Sequence, residues 1–124
     1  MSVQLFDSHC HIQDEEFAED RETVYQRARS QGIGMNVVGY TIESSEKAVE
    51  YAQAHEGCWA IVGIHPHEAK TVQVEDYQRL RKLAAQEKVV GIGEIGLDYH
   101  YDLSPRDVQR DVFMRQLVLA HELN

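Results

Sequence analysis

The sequence predicts an α/β fold made of four successive βα units, and two observations carry that prediction. Four apolar runs (Val3–Phe6, Ile33–Tyr40, Cys58–Ile64 and Val89–Ile95) alternate with four amphipathic stretches. The runs are short and β-branched, as expected of strands buried on both faces of a parallel sheet. One unit takes about 31 of the 124 residues. Eight such units need roughly 250 residues, the size of a closed TIM-like (β/α)8 barrel. The chain therefore reads as a parallel (βα)4 half of such a barrel, one domain over residues 1–124, truncated relative to the closed form. A flavodoxin-like open sheet is the alternative, although four strands are few for it. An unclosed array leaves two strand edges open, an aggregation liability, so a fragment or a half that pairs with something is expected.

The first strand runs into Asp7-Ser8-His9-Cys10-His11. Strand alternation predicts that Val3, Leu5, Asp7, His9 and His11 share a face, apolar below and ligand-rich at the mouth. The first helix is expected over Ala18–Gln31, with Val24 and Ala28 inward. The acidic run Asp14-Glu15-Glu16, with Glu19 and Asp20, suits the positive end of its dipole. The second helix is expected over Ser45–His55, with Ala48 and Ala52 inward. The third strand must stop at Pro66, which cannot continue a central ladder, and that leaves His65 at the rim. Tyr77, Leu80, Leu83 and Ala84 mark a third helix. Along the fourth strand Val90, Ile92 and Glu94 are expected on one face. Ser104-Pro105-Arg106-Asp107 opens the fourth helix, with Ser104 as N-cap, Pro105 at N1 and Asp107 at N3. That helix runs through Phe113, Leu117 and Ala120 to the end of the chain.

Composition narrows the function classes. A formal net charge of −9 argues against a broad basic surface for tracking nucleic acid. A phosphate-bearing substrate would need another attractor, and a metal supplies one. The two cysteines cannot build a disulfide framework, so free thiols in a cytoplasmic protein are expected. No run approaches the roughly 18 apolar residues of a membrane span, and the first residues lack a signal pattern.

Five of the seven histidines (His9, His11, His65, His67 and His100) sit at or just after a predicted strand end. In α/β barrels those ends build the active face. Two imidazoles at i and i+2 can point at one metal, with Asp7 orienting them. Cys10 faces the other way and is a packing group. Glu94 brings a carboxylate to the same mouth, and a cation there would keep it ionised. His65 could donate to a substrate oxyanion or hold a metal-bound water. His67 and His100 are secondary candidates, and Asp98 is expected to fix a neighbouring histidine or the loop. Trp59 and the scattered tyrosines read as packing groups rather than a base-stacking platform. No GxGxxG, P-loop, CxxC or serine elbow is present. Histidine with carboxylate admits zinc, manganese, iron or magnesium.

The motifs FDSHCH (Phe6–His11), GIHPH (Gly63–His67) and GIGEIGLDY (Gly91–Tyr99), followed by SPRDVQRDVFMRQLVLAHELN, resemble the TatD family of metal-dependent hydrolases over essentially the whole chain. The resemblance implies a TIM-like barrel that holds two divalent metal ions and hydrolyses phosphodiesters, with DNase activity the usual assignment. In such a site the ions polarise the phosphoryl oxygen, activate water and stabilise the leaving oxygen. By position, His9 and His11 match the ligands of one metal. Glu94 matches the bridging carboxylate, and His65 lines the pocket near the substrate phosphate. The family's remaining ligands, two histidines and an aspartate, come from strands beyond the fourth, so this chain carries three of six. The implied partners are DNA or another phosphodiester, no membrane, and a missing C-terminal half or self-association. Two rival readings remain at this point. One is an amidohydrolase-type C–N hydrolase, which also opens with HxH but is disfavoured by GEIGLD. The other is a non-catalytic half-barrel acting as a binding piece.

Overall fold

A computed structural model describes residues 2–124. Four parallel strands lie in the order β1-β2-β3-β4, each followed by a helix: β1 (Leu5–Cys10), α1 (Arg21–Ser30), β2 (Ile33–Val38), α2 (Ile42–Ala54), β3 (Cys58–Val62), α3 (Val74–Ala84), β4 (Val89–Ile92) and α4 (Arg106–Leu123). Short 3-10 segments, Glu15–Phe17 and Pro66–Thr71, precede α1 and α3. This is the (βα)4 arrangement of a half barrel. Among the described residues, the outer edges of β1 and β4 have no partner strand.

The core lies between β2–β3 and the outer helices. Val37, Ala60 and Val62 are fully buried in one cluster with Ala48, Val49 and Ala52 of α2 and Leu80 of α3. One face of the two central strands is fully buried, whereas Asn36, Trp59 and Ile61 are only half-buried, so burial on both faces is kept in part. It fails for β1, where Leu5 is 64% and Phe6 47% exposed.

Several boundaries differ from the sequence reading for identifiable reasons. β1 starts later than Val3 and runs through the histidine motif, because residues 5–10 pair with β2. Between Asp7↔Met35 and Cys10↔Val37 it advances three residues against two. This bulge breaks the alternation that put Val3 through His11 on one face. A second irregularity in β4 lies at Val90, between Ala60↔Val89 and Ile61↔Gly91. Val90 is 57% exposed there, so the shared face of Val90, Ile92 and Glu94 is not kept. β4 ends at Ile92 rather than Ile95, since the chain then turns over the sheet: Gly93 N–H donates to Val62 O and Glu94 N–H to Gly39 O, both at 2.9 Å.

α1 begins at Arg21, whose guanidinium donates to the carbonyls of Ile12, Gln13 and Asp14 and holds the preceding segment in its own turn. α2 begins three residues early because Thr41 Oγ1 accepts from Ser44 N–H at 3.0 Å, an N-cap. Ser104 does not cap α4. It is buried, donates to His67 O at 2.9 Å and accepts from Lys70 N–H at 3.1 Å, which leaves Pro105 as the residue before the helix.

Two glycines set the mouth of the sheet. A Cβ on Gly39 would lie 2.2 Å from Ser45 Oγ, and one on Gly63 would lie 2.5 Å from Gly93 O. Only glycine at 63 lets the ends of β3 and β4 approach this closely.

Candidate metal centre

The tautomer of His11 follows from its surroundings. Its Nδ1 is 2.8 Å from Val38 O at the end of β2. A carbonyl only accepts, so Nδ1 carries the proton and Nε2 presents a lone pair. That lone pair lies 3.2 Å from His9 Nε2, with the two rings edge to face. Two ring nitrogens this close need a proton or a cation between them. Asp7 positions His9 through the backbone, its Oδ1 accepting from His9 N–H at 3.1 Å.

Glu94 completes the group. Its Oε2 is 3.4 Å from His9 Nε2 and 3.8 Å from His11 Nε2, and the three donor atoms lie within 4.8 Å of one another. The carboxylate is half-buried, 31% exposed, more open than the sequence suggests. Zn–N bonds of about 2.0–2.1 Å place neighbouring donors of a tetrahedral ion about 3.3 Å apart. The separations of 3.2, 3.4 and 3.8 Å cluster around that value. Two imidazoles and a carboxylate therefore fit a divalent cation and leave coordination positions open, as a catalytic centre requires.

His65 approaches Glu94 from the other side. Its Nδ1 accepts from His67 N–H at 3.0 Å, so its proton sits on Nε2, 3.7 Å from Glu94 Oε1. The two carboxylate oxygens thus face different groups, Oε2 the His9–His11 pair and Oε1 the His65 donor. Burial pushes the His65 imidazole below its ordinary value, against the upward pull of Glu94. These groups, except His9, line a cavity of about 280 Å³ with Tyr40, His67 and Glu68. A groove of about 370 Å³ between α3 and α4, lined by Tyr77, Met114 and Val118, contains none of the histidines.

His67 and Asp98 form a second layer at the rim. His67 Nε2 is 2.7 Å from Asp98 Oδ2, and Asp98 Oδ1 accepts from the amides of His100 and Tyr101. Asp98 therefore fixes both a histidine and its own loop, as expected. His100 is exposed and packs on Tyr101, outside the cluster. Cys10 is half-buried with its thiol on Asn36 O, and burial pushes it up to about 11, in keeping with packing rather than ligation. The packing reading of the tyrosines holds for Tyr25 and Tyr51, which are buried, but not for Tyr99 and Tyr101, which are 39% and 67% exposed.

Sequence reasoning missed the buried glutamines that hold the backbone around the site. Gln116, fully buried on α4, accepts from Ile64 N–H at 2.8 Å and donates to Ile64 O at 3.1 Å. Seven residues earlier, Gln109 accepts from Asp98 N–H at 2.7 Å and donates to the carbonyls of Asp98 and Ser104. A signal for them existed: Gln109, Val112, Gln116 and Leu119 form one helical stripe, and a polar residue in a core stripe needs a buried partner. Tyr40 was also missed. Its ring packs edge-on against His11, and its hydroxyl donates to Asp14.

Residues 6–124 match the family model described as TatD related DNase. The chain is 40% identical over 121 residues to an uncharacterized metal-dependent hydrolase, YabD, of Bacillus subtilis (strain 168), covering 97% of this chain and 48% of that protein. It is 42% identical over 120 residues to the 3'-5' ssDNA/RNA exonuclease TatD of Cronobacter sakazakii, covering 96% of this chain and 46% of that protein. Among solved structures, the TatD homolog YjjV of Escherichia coli K12 superposes with a TM-score of 0.87 at 28% identity, covering 98% of this chain and 48% of that one. The chain spans about half the length of the curated relatives it matches. Among the described residues, no helix is long and apolar enough to cross a membrane.

Proposed function

The chain belongs to the TatD-related DNase family, and from that premise we propose that residues 1–124 form one unit carrying half of a two-metal phosphodiesterase site. His9, His11 and Glu94 would hold a divalent ion in this half. The substrate is a nucleic-acid strand, in line with the ssDNA/RNA exonuclease named among its relatives. The remaining ligands come from a complementary half-barrel, a C-terminal half or a second copy, meeting the open edges of β1 and β4. The observation that carries the reading is the Val38 carbonyl on His11 Nδ1, which commits the Nε2 lone pair to the point where His9 and Glu94 converge.

Two divalent ions, drawn from zinc, manganese, magnesium and iron, supply Lewis-acid polarisation of the phosphoryl group when bound. They also explain how a chain of net charge −9 attracts a polyanion. The chain's own residues do the positioning. His65 offers an Nε2–H to a phosphoryl oxygen in the cavity, its ring orientation fixed by the His67 amide. Asp98 holds His67 behind it.

The test is cleavage of a labelled single-stranded oligonucleotide with manganese, magnesium or zinc and with chelator, wild type beside Glu94→Gln. Cleavage that needs metal and is lost in the variant is the expected result. Metal-independent cleavage, or full activity in Glu94→Gln, would refute the assignment.

A further inference from the structure

The loop from β4 to α4 presents an arrangement that the metal centre does not use. Tyr101 is the most exposed tyrosine ring of this loop, at 67%. It is held from below, its amide on Asp98 Oδ1 and its ring edge to face with His67 at 5.7 Å between centroids. His67 packs on His65 at 4.2 Å, and His65 Nε2 reaches Glu94. Tyr101 thus stands two ring contacts out from the candidate metal ligands. Beside it, Tyr99 lies under the Arg106 guanidinium, 4.4 Å from the ring centroid, and its hydroxyl accepts from Arg110 Nη1 at 3.2 Å.

Arg79, Arg81, Arg106 and Arg115 are each matched by a carboxylate. Arg110 is exposed, and its side chain donates to a neutral phenol, the Tyr99 hydroxyl. An exposed ring held by its loop, with an exposed arginine seated on the tyrosine two residues before it, matches the chemistry that holds single-stranded nucleic acid. There a base stacks on the ring and a neighbouring phosphate meets the cation.

We propose that Tyr101 and Arg110 form a base-and-phosphate subsite for single-stranded nucleic acid at the rim of the metal centre. The proposal rests on the nucleic-acid reading of the site above, but the subsite itself needs no metal. Arg110 contributes a sequence-independent phosphate contact, and Tyr101 supplies a stacking face that accepts any base.

The experiment is fluorescence anisotropy of a labelled oligothymidylate and an abasic strand of the same length, in chelator at low salt, with the 124-residue chain. Wild type is expected to prefer the base-bearing strand. Tyr101→Ala weakens that complex about tenfold, the scale of one lost stacking contact, and leaves the abasic strand nearly unchanged. Tyr101→Phe keeps the ring and the affinity. Arg110→Ala weakens both strands alike and lowers the slope of log affinity against log salt by about 0.7. No preference for bases in wild type, or equal losses on both strands in Tyr101→Ala, overturns the subsite. The two readings fail separately: base-selective binding without metal-dependent cleavage sinks the hydrolase reading alone, and cleavage without base selectivity sinks the subsite alone.

Discussion

Gln116 on α4 pairs with Ile64 as a neighbouring strand would, its side-chain amide taking both the N–H and the C=O of a residue 52 positions earlier. Ile64 is the last residue before His65 and is itself buried. The backbone that delivers His65 to the rim is therefore anchored by a glutamine on α4. Gln116→Leu leaves two buried backbone groups without partners, each worth about 1–3 kcal/mol. The urea midpoint should fall accordingly. A variant as stable as wild type would show that Ile64 finds other partners.

Gly63→Ala places a methyl against the Gly93 carbonyl, a backbone atom that cannot rotate away. Overpacking of this kind costs about 1–3 kcal/mol, and here it also forces the ends of β3 and β4 apart. The expected result is a lower thermal midpoint together with weaker zinc binding, because His65 and Glu94 lie just beyond the contact. Loss of stability with unchanged zinc affinity would separate the packing from the site.

Zinc or manganese should raise the thermal midpoint of the wild-type chain. A ligand at 100 times its Kd stabilises by about 2.7 kcal/mol. His9→Ala and His11→Ala should each abolish the shift, since either removes an imidazole from a three-donor group. A shift that survives both substitutions would place the metal elsewhere.

Acid sensitivity should trace in part to Asp98. Burial works against its carboxylate, but the amides of Tyr101 and His100 and the His67 imidazole outweigh it and hold the pKa below the ordinary 3.8. A group depressed in the folded state stabilises the fold above its unfolded pKa, and that contribution fades as pH falls through the folded value. Below pH 3.8 the wild-type urea midpoint should therefore drop more steeply than that of Asp98→Asn. Parallel profiles would mean that Asp98 does not couple to folding.

The sequence by itself determined the βα repeat, the two central strands and the residues that meet at the mouth. Those features are local: β-branched runs read as buried strands, and His9, His11, His65 and Glu94 each follow such a run. The resemblance of three motifs carried the rest of the family reading. Where the sequence reading failed, the deciding partner lay far along the chain. Alternation could not foresee the bulges in β1 and β4, because register is set by the neighbouring strand rather than by the residue's own parity. Ser104 has the signature of an N-cap, yet its hydroxyl is taken by His67 and Lys70, more than thirty residues away. Only the tertiary structure decided which nitrogen of His11 faces His9, since a carbonyl on β2, 27 residues on, holds the other. Buried donors and acceptors must be satisfied wherever a partner is found, and in this fold the partners of the site come from neighbouring strands and from α4.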